Sequence, residues 1–253
     1  MTTAAAPRRR RWLWVVIGLV MVLAALIVAA ELIARSVVPS TVRSLVIENL
    51  DLPTDQQIDV EVPGMMLPQL IKGTLDEVTL SSREVRIGGV TGAAHVEATG
   101  VPVHGGELTS ATGTVSIDES EFTTLLTHSA LPGAEITLSA PHVTMQIGIP
   151  ILGRDVPVGI SVTPGAEDGD LLLTPVSLRL GGSSIDVHSA AGLLGEIGTR
   201  LAQTQRICIA DRLPAGITLT GLRIEGSRAV VDIAADGRIT VDESLLANGT
   251  CPR

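Results

Sequence analysis

Apolar and polar residues follow three patterns along this chain of 253 residues, and each pattern predicts a different kind of element. From Trp12 to Ala30 no residue is charged, and as a helix this run would span roughly 28 Å, about the thickness of a hydrocarbon core. Apolar residues at helical spacing then continue to Leu50, where Pro39 either begins a second helix or kinks one long helix. From Ile58 onward apolar and polar residues alternate, which predicts β-strands.

The residues that flank the first apolar run predict its orientation. Four consecutive arginines precede it at positions 8–11, and basic residues favour the cytoplasmic side of a membrane. We therefore expect a cytoplasmic basic segment over 1–11, a transmembrane anchor over 12–33 and a single envelope-facing domain over 34–253. The small residues at 28–30 would also suit signal-peptide cleavage, but the run is longer than a usual signal core, which favours an uncleaved anchor.

The alternating pattern predicts a strand-rich α+β domain with few helices. Predicted strands cover 58–62, 74–81, 84–90, 93–101, 107–117, 135–149, 155–163, 170–180, 183–188, 216–225, 228–234 and 237–241. Helical spacing predicts two further helices, over 118–128 and 190–202. An apolar turn or short helix is expected between Pro63 and Gly73.

A short phrase containing Thr-Leu-Ser occurs twice, over Val78–Ile87 and over Ile136–Met145, with a weaker echo over Ile217–Ile224. In both full copies the apolar positions change parity in the middle of the phrase, so strict alternation cannot continue through it. A bulge or sharp bend at Ser82–Glu84 and at Ala140–His142 would supply this change of phase. The phrase therefore predicts two equivalent bent strands in a strongly curved sheet.

Charge and aromatic content exclude several classes of function. From Ser36 onward the chain has 13 basic and 26 acidic residues, because only five basic residues and Glu31 come earlier. This acidic balance argues against nucleic-acid binding and against electrostatic docking on anionic headgroups. Phe122 is the only aromatic residue of this part, so it cannot build a stacking platform for single strands, and polysaccharide binding loses support as well.

The two cysteines, Cys208 and Cys251, both lie in the part that we expect outside the cytoplasm, where a disulfide can form. In the chain-entropy model such a bridge would stabilise the fold by about 4 kcal/mol. It would also tie down the C-terminal tail. A metal site built on the same two cysteines lacks nearby histidine partners.

Catalytic and cofactor motifs are missing from the sequence. We find no G-x-S-x-G elbow, no G-x-G-x-x-G or P-loop, and no H-E-x-x-H. His95 and Glu97 are better explained as a solvated pair than as metal ligands. The acidic residues of 167–170 suit a hairpin tip better than a calcium loop. The sequence therefore predicts a protein that is not an enzyme and that holds no cofactor or metal.

The stretch PGMMLPQLIKGTLDEVTLSSREVRIGG, over 63–89, resembles the LmeA-like domain of actinobacterial envelope proteins. That family shows an apolar turn with Pro and Phe, then Leu-x-x-Gly, Asp, a Val-x-Val strand and a second Val-rich strand that ends in Gly. It also has an arginine-led apolar N-terminus. The resemblance covers the anchor and residues 40–118 well. The second half of the chain matches mainly in its strand pattern and in residues 136–145. Where the family often carries Phe, this chain has Met65, Met66 and Leu67.

The resemblance implies a long, highly curved antiparallel sheet wrapped around a helix, as in tubular lipid-binding domains. It implies phospholipid binding in an apolar groove by a plasma-membrane protein whose domain faces a periplasm-like space. It also implies a link to extension of the mannan part of lipoglycans, with an envelope glycosyltransferase as a partner. No catalytic residues come with it.

Several apolar residues are candidates for contact with a lipid. They are Met65, Met66, Leu67, Leu70, Phe122, Leu126 and Met145. Methionine is flexible and apolar, so the first two could line a lipid site or belong to a plain core. The main alternative function is a scaffold, in which a solid β-sandwich docks an envelope enzyme. A hydrolase or transferase that acts on lipoglycan has the least support, because its motifs are missing.

Overall fold

The computed structural model describes residues 8–49, 56–87, 90–129, 135–151, 154–180, 183–187, 189, 195 and 202–252. Its first element is α1 (Arg8–Asn49), a helix of 42 residues with Pro39 inside it. One long helix is therefore the outcome, rather than two. Within α1 the stretch Trp14–Ser44 is long and apolar enough to cross a membrane.

The first sheet has six antiparallel strands. In chain order they are β1 (Asp59–Glu61), β2 (Thr74–Ile87), β3 (Val90–Pro102), β4 (Ser110–Asp118), β11 (Ile217–Glu225) and β12 (Arg228–Ala235). Their order across the sheet is β1-β2-β3-β4-β12-β11, so the last hairpin of the chain pairs beside β4.

The second sheet is formed by the middle of the chain and is also antiparallel. Its strands are β5 (Glu135–Ser139), β6 (His142–Ile151), β7 (Arg154–Glu167), β8 (Asp170–Leu180), β9 (Ser183–Asp186) and β10 (Gln205–Ile207). The strands β5 to β8 pair in sequence, and both β9 and β10 pair with the outer edge of β8. Neither sheet closes into a barrel within the described strands.

Two short α-helices, α2 (Met66–Lys72) and α3 (Glu119–Ser129), complete the described fold together with the 3₁₀ helices Ala210–Arg212, Gly237–Thr240 and Glu243–Leu246. Strands of both sheets contact α3, namely β3, β4 and β12 of the first and β5 of the second. Its glutamates fasten it, because Leu138 N donates to Glu119 Oε2 at 2.7 Å and Thr91 N donates to Glu121 Oε2 at 3.1 Å. The predicted strand-rich α+β fold with large antiparallel sheets and an N-terminal apolar helix is thus confirmed.

The best-buried apolar cluster joins the two sheets. It contains Ile136, Leu138, Val143 and Val162 from the second sheet, and Ile224 and Ala229 from the first. These residues point to one another because alternation places them on a single face of each sheet. The junction lies at the end of β11 and β12 farthest from where β2 begins.

The first predicted bend is confirmed as a β-bulge. The register of β2 with β3 shifts between Ser82 and Val85, so one bulged strand replaces the two strands predicted over 74–81 and 84–90. Gln56, which is buried, donates from Nε2 to Ser82 Oγ and to the backbone oxygen of Glu84. The amide of Gln56 thereby supplies a hydrogen-bond partner to a backbone oxygen in the bulge, where regular pairing with β3 is interrupted. The weaker echo also contains a register shift, between Leu219 and Gly221.

The second predicted bend is wrong, because the chain reverses there. Ser139 pairs with His142, and Ala140 and Pro141 form the turn between β5 and β6. Proline has no N–H to donate to a ladder, so the strand ends before it instead of bending through it. The two copies of the phrase are therefore a bulged strand and a hairpin, which are not equivalent elements.

The C-terminal region differs from the prediction in several short elements, because β10 and the 3₁₀ helices Ala210–Arg212 and Glu243–Leu246 were not predicted and one predicted strand is replaced. Residues 237–241 do not form a strand, because Gly237–Thr240 is a 3₁₀ helix. Asp236 starts this helix by accepting a hydrogen bond from Arg238 N at 2.9 Å. A disulfide joins Cys208 to Cys251, with Cα atoms 5.8 Å apart, as predicted. The helix predicted over 190–202 lies almost wholly outside the described residues.

Candidate functional site

The apolar turn predicted between Pro63 and Gly73 forms α2, a single short helix. Gly73 ends the helix in the left-handed conformation, with φ of 80°, and its N–H donates to the oxygens of Gln69 and Leu70. Glycine adopts this conformation without steric cost, which explains the position of the helix end. Met66 is only 2% exposed and holds the underside of α2 in the domain.

Gln69 fastens α2 to the strand that follows it. Its side chain is buried, and Nε2 donates to the backbone oxygens of Pro63 and Met65 at 2.9 and 3.2 Å. Its Oε1 accepts from Asp76 N in β2 at 2.9 Å. The buried amide needs partners for its own donor and acceptor atoms, and these three groups supply them. The position of α2 is thus fixed by polar contacts as well as by Met66.

The N-terminus of α2 is capped by a residue from α1. Met65 occupies the N-cap position and its side chain makes no capping hydrogen bond. Instead, Glu31 accepts from Met66 N at 2.8 Å and from Leu67 N at 2.9 Å, one bond to each carboxylate oxygen. Unpaired N–H groups at a helix start favour such a carboxylate. Glu31 therefore joins the apolar helix to the domain.

Further contacts keep α1 against the domain beyond Glu31. Arg35 donates from Nε to Glu31 at 3.1 Å and from Nη2 to the backbone oxygen of Gly64 at 3.1 Å. Arg43 donates from Nη2 to the backbone oxygen of Gln56 at 2.7 Å, and Ala34 is 8% exposed. Because polar and apolar contacts are distributed along this part of α1, the helix has a defined position on the domain.

An apolar groove of about 520 Å³ lies between α1 and α2. Its lining residues are Ile27, Val28, Glu31, Leu32, Arg35, Met65, Leu67, Pro68 and Ile71. Only Glu31 and Arg35 bring polar side chains to it. We call this feature the α1–α2 groove. A concave apolar surface with a few polar groups is the usual form of a ligand site.

The first sheet adds an apolar face that is only partly covered. Leu80 pairs with Val96, and Val96 and Ile233 both pair with Gly113, so their side chains form one row across the strands. Leu80, Val96 and Ile233 are each partly exposed. The opposite face of the same strands is polar, with Ser81, His95, Thr114 and Asp232 in register. In this row of the sheet, one face is therefore apolar and the other is polar.

The second sheet shows the same separation of faces. Met145, Ile160 and Leu178 are in register on one face and are all partly exposed, and Ile147 further along β6 is 44% exposed. On the other face Thr144 bonds Ser161, Oγ1 to Oγ, at 2.9 Å. Both sheets thus present apolar surface beyond the buried junction.

The predicted lipid-contact residues are separated by the fold. Met65 and Leu67 line the α1–α2 groove, while Met66 is buried beneath it and Leu70 is partly buried outside its lining. Phe122 and Met145 pack against the cluster that joins the two sheets, and they do not line this groove. The side chain of Leu126 lies outside the described part of the chain.

Sequence reasoning missed most of the residues that build the groove or hold it, and four of them have distinct roles. Ile71 lines it, Gln69 holds α2, and Glu31 and Arg35 bring the helix to it. One signal was present in the sequence, because Met65 is a poor N-cap residue and α2 needs an acceptor from elsewhere. The origin of that acceptor, 35 residues earlier, could not be read from local pattern.

Two carboxylates at the C-terminal 3₁₀ helices have a lowered pKa. Hydrogen bonds from the Arg238 side chain and backbone lower the pKa of Asp236 to about 2. Hydrogen bonds from Ser244 lower the pKa of Asp242. Both carboxylates start 3₁₀ helices, so their shifts have a structural cause. Among the described residues no group of three metal-ligating side chains comes together.

A long apolar helix, two antiparallel sheets with apolar faces and a groove beside that helix are features of a membrane-associated lipid-binding protein. Comparison with known families agrees, since the sequence model of the LmeA-like phospholipid-binding family matches residues 28–234. The chain belongs to this family. The match includes Glu31, Arg35 and all of α2. Comparisons with curated proteins and with solved structures give no match.

Proposed function

We propose that this protein binds a phospholipid in the α1–α2 groove, at the surface of the membrane that α1 crosses. The observation that carries the proposal is the groove itself, which is apolar except for Glu31 and Arg35. Acyl chains need apolar area rather than aromatic stacking, and each buried CH₂ contributes roughly 0.8 kcal/mol. Leu67, Ile71 and Leu32 supply such area.

Arg35 is the residue that suits the phospholipid headgroup. Its side chain is 56% exposed, and two of the five guanidinium N–H donors are used by Glu31 and Gly64. Guanidinium groups bind phosphate through paired N–H donors. A phosphate at the mouth of the groove would therefore meet a cation that Glu31 already orients. The acidic domain as a whole offers no comparable attraction.

We further propose that α1 is a single-pass anchor with residues 1–11 in the cytoplasm and the folded domain in the envelope. Arginines 8–11 support this orientation through the positive-inside rule. The disulfide between Cys208 and Cys251 supports it too, because such bonds persist in oxidising compartments. In sealed right-side-out vesicles an added protease should digest the domain, and protection of the domain from the protease would contradict this orientation.

We also propose that the bound phospholipid serves lipoglycan mannan assembly, with an envelope glycosyltransferase as the partner. The support for this step is the resemblance to the family alone. Deleting the coding sequence and comparing lipoglycan mannan length by electrophoresis tests it. Shortened mannan that is restored by the wild-type chain would support the assignment, and unchanged mannan would contradict it.

Lipid extraction tests the binding proposal. The full chain is purified in detergent, separated by gel filtration and extracted, and its phospholipid is identified by mass spectrometry. An unrelated single-pass protein, prepared in the same way, measures the lipid that any membrane helix retains. We expect a stoichiometric excess of phospholipid on this chain. Equal phospholipid on both proteins would contradict the proposal.

A further inference from the structure

The direction of α1 along the first sheet shows where the membrane lies. Near Glu31, α1 contacts α2, which immediately precedes the start of β2. Further on, Arg43 bonds the backbone of Gln56, whose side chain bonds Ser82 well along β2. This part of α1 and β2 therefore run in the same direction. It follows that the apolar residues before Glu31 extend beyond the α2 end of the sheet.

Other elements at this end of the first sheet also expose apolar side chains. The loop after β3 is tied to the end of α2, because Val103 N donates to the oxygen of Gly73 at 3.0 Å. The C-terminal 3₁₀ helix is tied to the same loop, since Leu108 N donates to the oxygen of Gly237 at 2.8 Å. The exposed apolar residues of these elements are Val103 (41%) in the loop and Val241 (51%) just after this 3₁₀ helix, and Leu246 (59%) lies in the next 3₁₀ helix, which contacts it.

The helix α2 and its N-cap residue carry the most exposed apolar side chains of this end. Ile71 is 86% exposed and Met65 is 67% exposed. They share the α1–α2 groove with Ile27 of α1, which belongs to the uncharged run. Ile27 precedes Glu31 by one helical turn, which is about 6 Å along the axis. Along the axis of α1, the exposed surface of α2 therefore lies at the same depth as residues of the uncharged run, which we expect in the hydrocarbon region.

We propose that α2 is inserted into the membrane leaflet from which α1 emerges, and that the domain stands upright on this end of the first sheet. The exposed apolar surface of α2 then lies in lipid instead of water. Lys72 at the end of α2 is long enough to keep its charge among the headgroups. The inference rests on the proposed membrane crossing by α1 and deepens the proposed function, because the groove would open directly into the bilayer.

Glu31 is the residue that positions α2 at this depth. Its side chain is 19% exposed, and it accepts from Met66 N, Leu67 N and Arg35 Nε. A carboxylate at the edge of the hydrocarbon region is tolerated only when donors surround it. These three donors meet that requirement. The same bonds tie the depth of α2 to the depth of α1.

Tryptophan fluorescence in vesicles can test the insertion, because the only native tryptophans are Trp12 and Trp14. The full chain with both replaced by Phe receives a single tryptophan as Ile71→Trp. The matched control is Ile147→Trp, an exposed apolar site on the second sheet. Each protein is reconstituted into phosphatidylethanolamine–phosphatidylglycerol vesicles with or without bromine on the acyl chains.

At a depth of about 5–10 Å we expect brominated lipid to remove roughly half of the I71W emission, with a blue-shifted maximum. The I147W emission should stay unquenched. Equal quenching of the two variants would overturn the proposal. A blue shift of I71W without quenching would overturn it as well, because it would mean that protein, such as a second copy of this chain, covers α2.

The role of Glu31 is tested in the same vesicles with Glu31→Gln added to I71W. The amide lacks one acceptor oxygen and the charge, so I71W quenching should fall. Unchanged quenching would show that Glu31 does not position α2. These results are separable from the lipid-binding proposal. If the purified chain retains excess phospholipid but the I71W emission is not quenched, the insertion proposal is contradicted and the lipid-binding proposal stands.

Discussion

At the scale of single residues, two polar side chains decide where α2 lies. Glu31 supplies the cap that Met65 does not, and Gln69 fills the space beneath the helix with three hydrogen bonds. A hydropathy pattern does not predict either role, because it identifies apolar residues as buried and both of these residues are polar. The composition of 63–73 predicts an apolar turn, but only the contacts show that polar side chains hold it.

The Gln69→Leu substitution tests the importance of the buried amide. It leaves Asp76 N and the oxygens of Pro63 and Met65 without their partner, which should cost about 2 kcal/mol. We expect a lower midpoint of thermal unfolding by circular dichroism. Gln57→Leu is the matched control, because the Gln57 side chain is exposed. Equal midpoints for the two variants would show that the Gln69 hydrogen bonds contribute nothing to stability.

At the scale of elements, the two copies of the repeated phrase show what local pattern can and cannot predict. A change of parity marks a break in alternation, and both breaks are present. A bulge and a hairpin produce the same change, however, and the pairing partner distinguishes them. β2 continues to pair with β3 on both sides of its bulge, whereas β5 pairs with β6 immediately after Pro141. Pairing is a property of the assembled sheet, so it was not in the pattern.

Alternation did predict which residues of β5 point inward. Leu138 is 4% exposed, while Thr137 on the opposite face is exposed. Leu138→Asp would bury a carboxylate in the cluster that joins the sheets, which should unfold the domain. Thr137→Asp is the matched control and should leave the unfolding midpoint within a few degrees. A wild-type midpoint for L138D would show that the inward-facing assignment is wrong.

At the scale of the whole molecule, the disulfide fastens the C-terminal tail to the segment between β10 of the second sheet and β11 of the first. Cys251 bonds Cys208 across 43 residues, and Gly249 N donates to the oxygen of Leu213 at 3.0 Å. The disulfide could be predicted from the sequence, because two cysteines outside the cytoplasm can form only one intramolecular bond. The place of the tail could not be predicted, because it depends on two 3₁₀ helices, one of which replaces a predicted strand.

Replacing both cysteines by serine should weaken this arrangement. The chain-entropy model gives a loss of about 4 kcal/mol for a loop of this length, as an upper estimate. Thermal unfolding of the double variant should therefore begin at a lower temperature than that of the wild-type chain. Thermal unfolding of the wild-type chain under reducing conditions is the control and should give the same lower midpoint. Identical unfolding of the oxidised and serine forms would contradict a stabilising role.

Native mass spectrometry of the full chain tests the central claim, that the α1–α2 groove holds phospholipid, most directly. Leu67→Trp places a larger side chain in the groove, and Thr137→Trp adds the same side chain at an exposed position on β5. After detergent is removed in the gas phase, the wild-type and T137W chains should retain a phospholipid mass, and L67W should largely lose it. Equal retention by L67W and T137W would contradict the account.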